Sequence, residues 1–160
     1  LRDETEQIQV YQVIRADSNQ TTAPGLPSGK NLMYLGLHEF GHSFVNPVVG
    51  DKRENFDDPR IQEIYADVLS QMKKIAYGNI GTYYNELVIR AATILGAKDL
   101  GVIQESDVRD HLLRQQRIGF KPVAIVYELL QEYQASRDRY PTFDSYVPEL
   151  LDQLAEREGA

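Results

Sequence analysis

The chain has 160 residues and a formal net charge of −7, from 24 acidic and 17 basic side chains. That length suits one domain burying about 70% of its unfolded surface, so no metal is needed merely to hold a small fold together. No basic stripe is present to neutralise phosphates, which argues against nucleic acid; no apolar run approaches the roughly 18 residues of a membrane span; and the absence of cysteine excludes disulfides and thiolate zinc sites.

In chain order, residues 7–15 (Gln-Ile-Gln-Val-Tyr-Gln-Val-Ile-Arg) are rich in β-branched and aromatic types and alternate partly at period two. They predict a strand, whose partners are short or lie upstream of Leu1. The chain begins with Leu rather than Met, which leaves room for a leader or domain before it. A Ser, Asn, Thr, Pro and Gly cluster makes residues 17–30 a loop. A helix follows from about Asn31 to Val45, stopped by Asn46-Pro47. After the polar segment 48–58, Asp58-Pro59 reads as an acidic N-cap with proline in the first turn. The helix it opens runs to about Tyr77, with Ile61, Ile64, Tyr65, Val68, Met72, Ile75 and Ala76 in one apolar stripe. Further helices are predicted from Thr82 to Leu95, with Gly96 as a stop signal, and over 105–117, 122–138 and 148–157. The fold expected is mainly α (α+β), a zincin-like helical domain with a small β element at its N-terminus.

The chemistry lies in His38-Glu39-Phe40-Gly41-His42, which holds two of the three histidines. Helical positions four apart share a face with Cβ atoms about 5–6 Å apart. Two imidazoles so placed can converge on one zinc ion at about 2.0–2.1 Å, and Glu39, beside the first, reaches a water on that ion as general base. A third ligand is required. Ser43 to Val48 supply neither the glycine nor the histidine of a three-histidine motif, leaving His111 or a carboxylate.

Two glutamates compete. Glu63, in Glu-Ile-Tyr-Ala-Asp67, has a suitable spacing from His42 but falls opposite the apolar stripe of its helix. Glu86 lies in a segment apolar in nearly every direction, where Glu86, Arg90 and Thr93 form one narrow polar strip. A buried carboxylate needs a partner or a metal. Arg90, one turn on, can hold it in a ligating orientation; an internal Glu86–Arg90 pair without metal is the alternative.

These segments resemble a family of bacterial HExxH-containing domains of unknown function that are regarded as zinc metallopeptidases. The matching pieces are His38-Glu-Phe-Gly-His-Ser-Phe-Val-Asn-Pro47, Tyr84-Asn-Glu-Leu-Val-Ile-Arg-Ala91, and Tyr133 to Phe143 with Tyr146-Val-Pro148. The resemblance implies a gluzincin-like arrangement: His38, His42 and Glu86 as zinc ligands and Glu39 as base. It favours Glu86 over Glu63. The expected activity is hydrolysis of a peptide or protein substrate. Tyr83, Tyr84, Tyr77 and His111, in that order, are candidates to stabilise the transition state. Two alternatives belong to other classes: a non-catalytic, zinc-containing interaction domain, and a zinc hydrolase of non-peptide substrates.

Overall fold

The structure is a computed structural model that describes residues 29–159. The strand expected at 7–15 lies outside the described residues. Those residues form six α-helices, α1 (Gly29–Val45), α2 (Pro59–Lys73), α3 (Ile80–Asp99), α4 (Glu105–Arg117), α5 (Val123–Ala135) and α6 (Phe143–Glu158), with a 3₁₀ turn at Arg53–Phe56. The mainly α fold is as expected. None of these helices is long and apolar enough to cross a membrane.

α3 is the axis of the bundle. Tyr83, Tyr84, Leu87, Val88, Ile89, Ala91, Ile94 and Leu95 are buried around its whole circumference. Such a helix must be enclosed by others, and α1, α2, α4 and α5 all pack on it, with α6 laid against α2 and α5. Asn79 caps it, its side-chain oxygen accepting the Thr82 N–H at 3.1 Å. The outer face of α1 leaves Met33, Phe40 and Phe44 exposed, the two phenylalanine rings 5.5 Å apart.

Three helix ends share one device, a residue with positive φ followed by an N–H that reaches back to the carbonyl five residues before it. α4 ends this way at Gly119 (φ 112), with Phe120 N–H bonded to Gln115 O, as its sequence suggests. α3 does not stop at Gly96. It runs to Asp99, and the terminating glycine is Gly101 (φ 68), beyond which Val102 N–H bonds Ala97 O. α2 stops at Lys73 rather than near Tyr77, because Ala76 (φ 71) takes the left-handed position and Tyr77 N–H returns to Met72 O. Ile75 is left exposed.

α5 is shorter than expected, ending at Ala135. α6 begins five residues before Pro148. Thr142 and Ser145 cap it reciprocally, and the proline sits inside the helix instead of opening it. The Tyr133 to Tyr146 segment is held together by its own aromatic rings. Tyr133 stacks on Tyr146 at 4.9 Å, Tyr140 and Phe143 meet these rings edge-on, and the Tyr146 hydroxyl donates to Leu129 O at 2.9 Å. This aromatic group fixes the corner between α5 and α6.

The turn after α1 is clasped to the start of α3. Gly50 N–H donates to Asn85 Oδ1 at 2.8 Å, and a Cβ on Gly50 would stand 2.2 Å from Asn85 Nδ2 and 2.6 Å from Gly81 O. A Cβ on Gly81 would in turn meet Gly50 O at 2.6 Å. Glycine is required on both sides because the two backbones touch. Asn55 closes the turn from the other side, donating to Val48 O and Val49 O.

Candidate metal centre

His38 and His42 lie on the face of α1 that packs on α3, and Glu86 rises from α3 opposite them. The close approach of the helices depends on Gly41, where a Cβ would meet Ile89 Cγ2 at 3.3 Å. The two imidazoles stand edge to face with centroids 5.3 Å apart. His42 Nε2 is 3.3 Å from Glu86 Oε1, and His38 Nε2 is 3.7 Å from Glu86 Oε2. One ligand atom from each of the three residues lies within 4.8 Å of the others.

These distances fit a shared ion. A tetrahedral ion at about 2.0–2.1 Å from its ligands holds the ligand atoms about 3.3–3.4 Å apart. The carboxylate is also short of partners: Glu86 is 6% exposed, yet its Oε2 accepts no hydrogen bond among the described residues. Arg90 Nε approaches that oxygen to 3.0 Å, an ion pair by distance that lacks the alignment of a hydrogen bond. A buried carboxylate whose two oxygens each face an imidazole nitrogen is a donor set for a divalent metal.

The surroundings orient the ligands. His42 Nδ1 lies 3.3 Å from Asn46 Oδ1, one turn along α1. An Nδ1–H donating there leaves the Nε2 lone pair toward Glu86. Burial draws the His38 pKa below its usual value, against the opposing pull of Glu86, and so favours the neutral form that can ligate. Arg90 is held from three sides. It donates to Gln115 Oε1 at 2.7 Å and to the Tyr77 hydroxyl at 3.3 Å, with its guanidinium 4.5 Å from the Phe120 ring centroid. Glu39 follows His38 and is half-buried, and among the described residues nothing hydrogen-bonds its carboxylate.

The other candidates are placed elsewhere. Glu63 is exposed on α2, in a surface cleft with Arg60, Asp67, Lys121 and Glu158, and does not join the histidines. Tyr83 and Tyr84 are wholly buried; the Tyr84 hydroxyl donates to Ile61 O at 2.7 Å, and Tyr83 stacks on Phe120. Burial raises both phenols above their ordinary range, with a smaller push in the same direction from Glu158 at the end of α6. They serve as core. Thr93, the last member of the polar strip, spends its hydroxyl on Ile89 O at 2.7 Å. Tyr77 reaches the centre only through Arg90, and His111 packs on Tyr34 with ring centroids 5.2 Å apart.

Asn46, Gln115 and Gly41 were missed by sequence reasoning. Asn46 had a signal, its i+4 spacing from His42, masked by its position before proline. Gln115 had none, since its contact with Arg90 joins two helices distant in sequence.

The family described as Domain of unknown function (DUF4932) matches residues 26–153. The chain belongs to this family. The match covers α1 to α5 and most of α6, and therefore every residue of the DUF4932 candidate centre. No curated protein and no solved structure matches the chain.

Proposed function

We propose that this DUF4932 domain is a zinc-dependent metallopeptidase of gluzincin type. The observation that carries the reading is the convergence of the His38 and His42 Nε2 atoms on the buried Glu86 carboxylate, contributed by a second helix. His38, His42 and Glu86 would hold the ion, and His–His–carboxylate with no thiolate is the donor set of catalytic zinc. Bound zinc supplies Lewis acidity and a water whose pKa falls to about 7.

The chain's own residues do the rest. Glu39 takes the proton of the attacking water and hands it to the leaving amine. No hydrogen bond among the described residues competes for its carboxylate. Arg90, clamped by Gln115, Tyr77 and Phe120, keeps the Glu86 carboxylate facing the histidines. Asn46 fixes the ring of His42. The test is Glu39→Gln assayed on a broad peptide library with zinc content measured in parallel. Retained zinc with lost cleavage supports the assignment, and unchanged cleavage with zinc bound refutes it.

A further inference from the structure

A cleft of about 340 Å³ opens beside the candidate centre between α1 and α4, lined by Lys30, Tyr34, Leu35, Ile103, His111 and Arg114 among others. Tyr34 precedes His38 by one helical turn on the same face, and Lys30 precedes Tyr34 by another. At 1.5 Å per residue these lie about 6 Å and 12 Å along the helix axis from His38. An extended peptide covers that distance in about two to four residues.

The cleft has a charge of its own. In a chain of net charge −7 it presents Lys30 and Arg114, neither of which has an ion-pair partner among the described residues. The part-buried Arg90 and the exposed Arg114 both act on Tyr34. Asp107 and Asp110 act on His111, but neither lines the cleft, and Asp107 is engaged at the α4 N-cap by the Gln104 N–H. Burial keeps the Tyr34 phenol protonated, a hydrogen-bond donor on the cleft wall. Two cations without an ion-pair partner among the described residues and a phenolic donor, on a wall shared with the apolar Leu35, Val102 and Ile103 and the neutral polar Asn31, make a recognition site for an anionic oxygen group.

We propose that this cleft receives a carboxylate of the peptide substrate, two to four residues from the cleaved bond. The proposal rests on the peptidase reading and names its substrate class. The carboxylate can come from an acidic side chain or from the peptide C-terminus.

The test measures binding of fluorescein-labelled, alanine-based hexapeptides to the zinc-loaded Glu39→Gln chain. The peptides carry Glu, Gln or Lys at one position, each with a free or an amidated C-terminus, and the parent chain is assayed for cleavage of the same set. Carboxylate-bearing peptides are expected to bind at least tenfold more tightly than uncharged ones. Arg114→Gln combined with Lys30→Gln should erase most of that difference while zinc content and thermal unfolding stay unchanged. Arg114→Glu should shift the preference toward peptides with Lys in place of Glu. A preference that survives amidation assigns the side-chain carboxylate, and one that amidation abolishes assigns the C-terminus. Equal binding of charged and uncharged peptides, or a preference untouched by the Arg114 changes, overturns the proposal. Cleavage without acidic preference removes the cleft and leaves the peptidase reading standing. Carboxylate-selective binding with no cleavage of any peptide by the parent chain supports the cleft and removes the peptidase reading.

Discussion

His42 Nε2 faces Glu86 Oε1 at 3.3 Å across the packing of α1 on α3. One residue belongs to a motif visible at a glance, the other to a hydrophobic helix in which a glutamate looks out of place. Replacing Glu86 with alanine should abolish stoichiometric zinc binding, whereas Glu63→Ala should leave it intact. Zinc at 100 times its dissociation constant should stabilise the parent by about 2.7 kcal/mol. A chelator should remove that increment, and Glu86→Ala should never show it. Metal analysis and thermal unfolding with and without zinc check this. Zinc loss confined to Glu63→Ala would reverse the ligand assignment.

Glu39→Gln preserves the shape of the residue and removes its basicity. Peptide cleavage should fall by about 10²–10⁴-fold with zinc retained, the usual scale of general acid–base catalysis. Steady-state kinetics on any peptide the parent cleaves would decide it.

Asn46→Ala removes the partner of His42 Nδ1 without touching a ligand. Loss of such an orienting group typically costs about 10–100-fold in metal affinity. Competition titration against a zinc chelator should show that loss, with little change in the melting temperature of the metal-free protein. An affinity equal to the parent's would mean that Asn46 merely ends the helix.

Tyr83 and Tyr84 make a paired test of core against catalysis. Tyr84→Phe should destabilise by about 1 kcal/mol, because the buried Ile61 carbonyl loses the side-chain donor it has besides its helical one. Tyr83→Phe removes a buried hydroxyl with no partner among the described residues and should be neutral or stabilising. Both variants should cleave peptides at the parental rate. A large fall in kcat for either, with normal folding, would return that phenol to the reaction.

Glycine substitutions on α3 and its neighbouring turn should act in opposite directions. Gly50→Ala drives a methyl group into Asn85 and the Gly81 backbone and should cost about 1–3 kcal/mol. Gly96→Ala, whose new Cβ meets nothing within 4 Å, should stabilise the helix by about 0.5–1 kcal/mol. Denaturant melts of the two variants give the comparison directly.

The juxtaposition of His38, His42 and Glu86 was legible because two periodic facts agreed: His38 and His42 four apart, and one carboxylate on a helix apolar all round. The same reasoning placed Glu63 on the solvent side of α2, where it lies. Helix ends were less legible. The left-handed positions after α2 and α3 are Ala76 and Gly101 rather than Gly96; Gly101 follows the ordinary preference of glycine for positive φ, whereas the residue type of Ala76 gives no such signal. Pro148 suggested a helix start, yet the Thr142–Ser145 cap upstream decides where α6 begins. Arg90 could be read as a neighbour of Glu86 from its spacing, but Gln115 and Tyr77 approach it from elsewhere in the chain, and no local pattern announces such partners.

The clasp of Gly50 and Gly81 with Asn85 ties the exit of the helix that carries His38 and His42 to the entrance of the helix that carries Glu86. It forms with the fold itself, so the spacing between imidazoles and carboxylate is set before any ion arrives. Toward a metal held by the two histidines, Glu86 would then have the high effective molarity of a rigidly tethered group. An ion captured there would need only to shed hydration water, with no search by the chain.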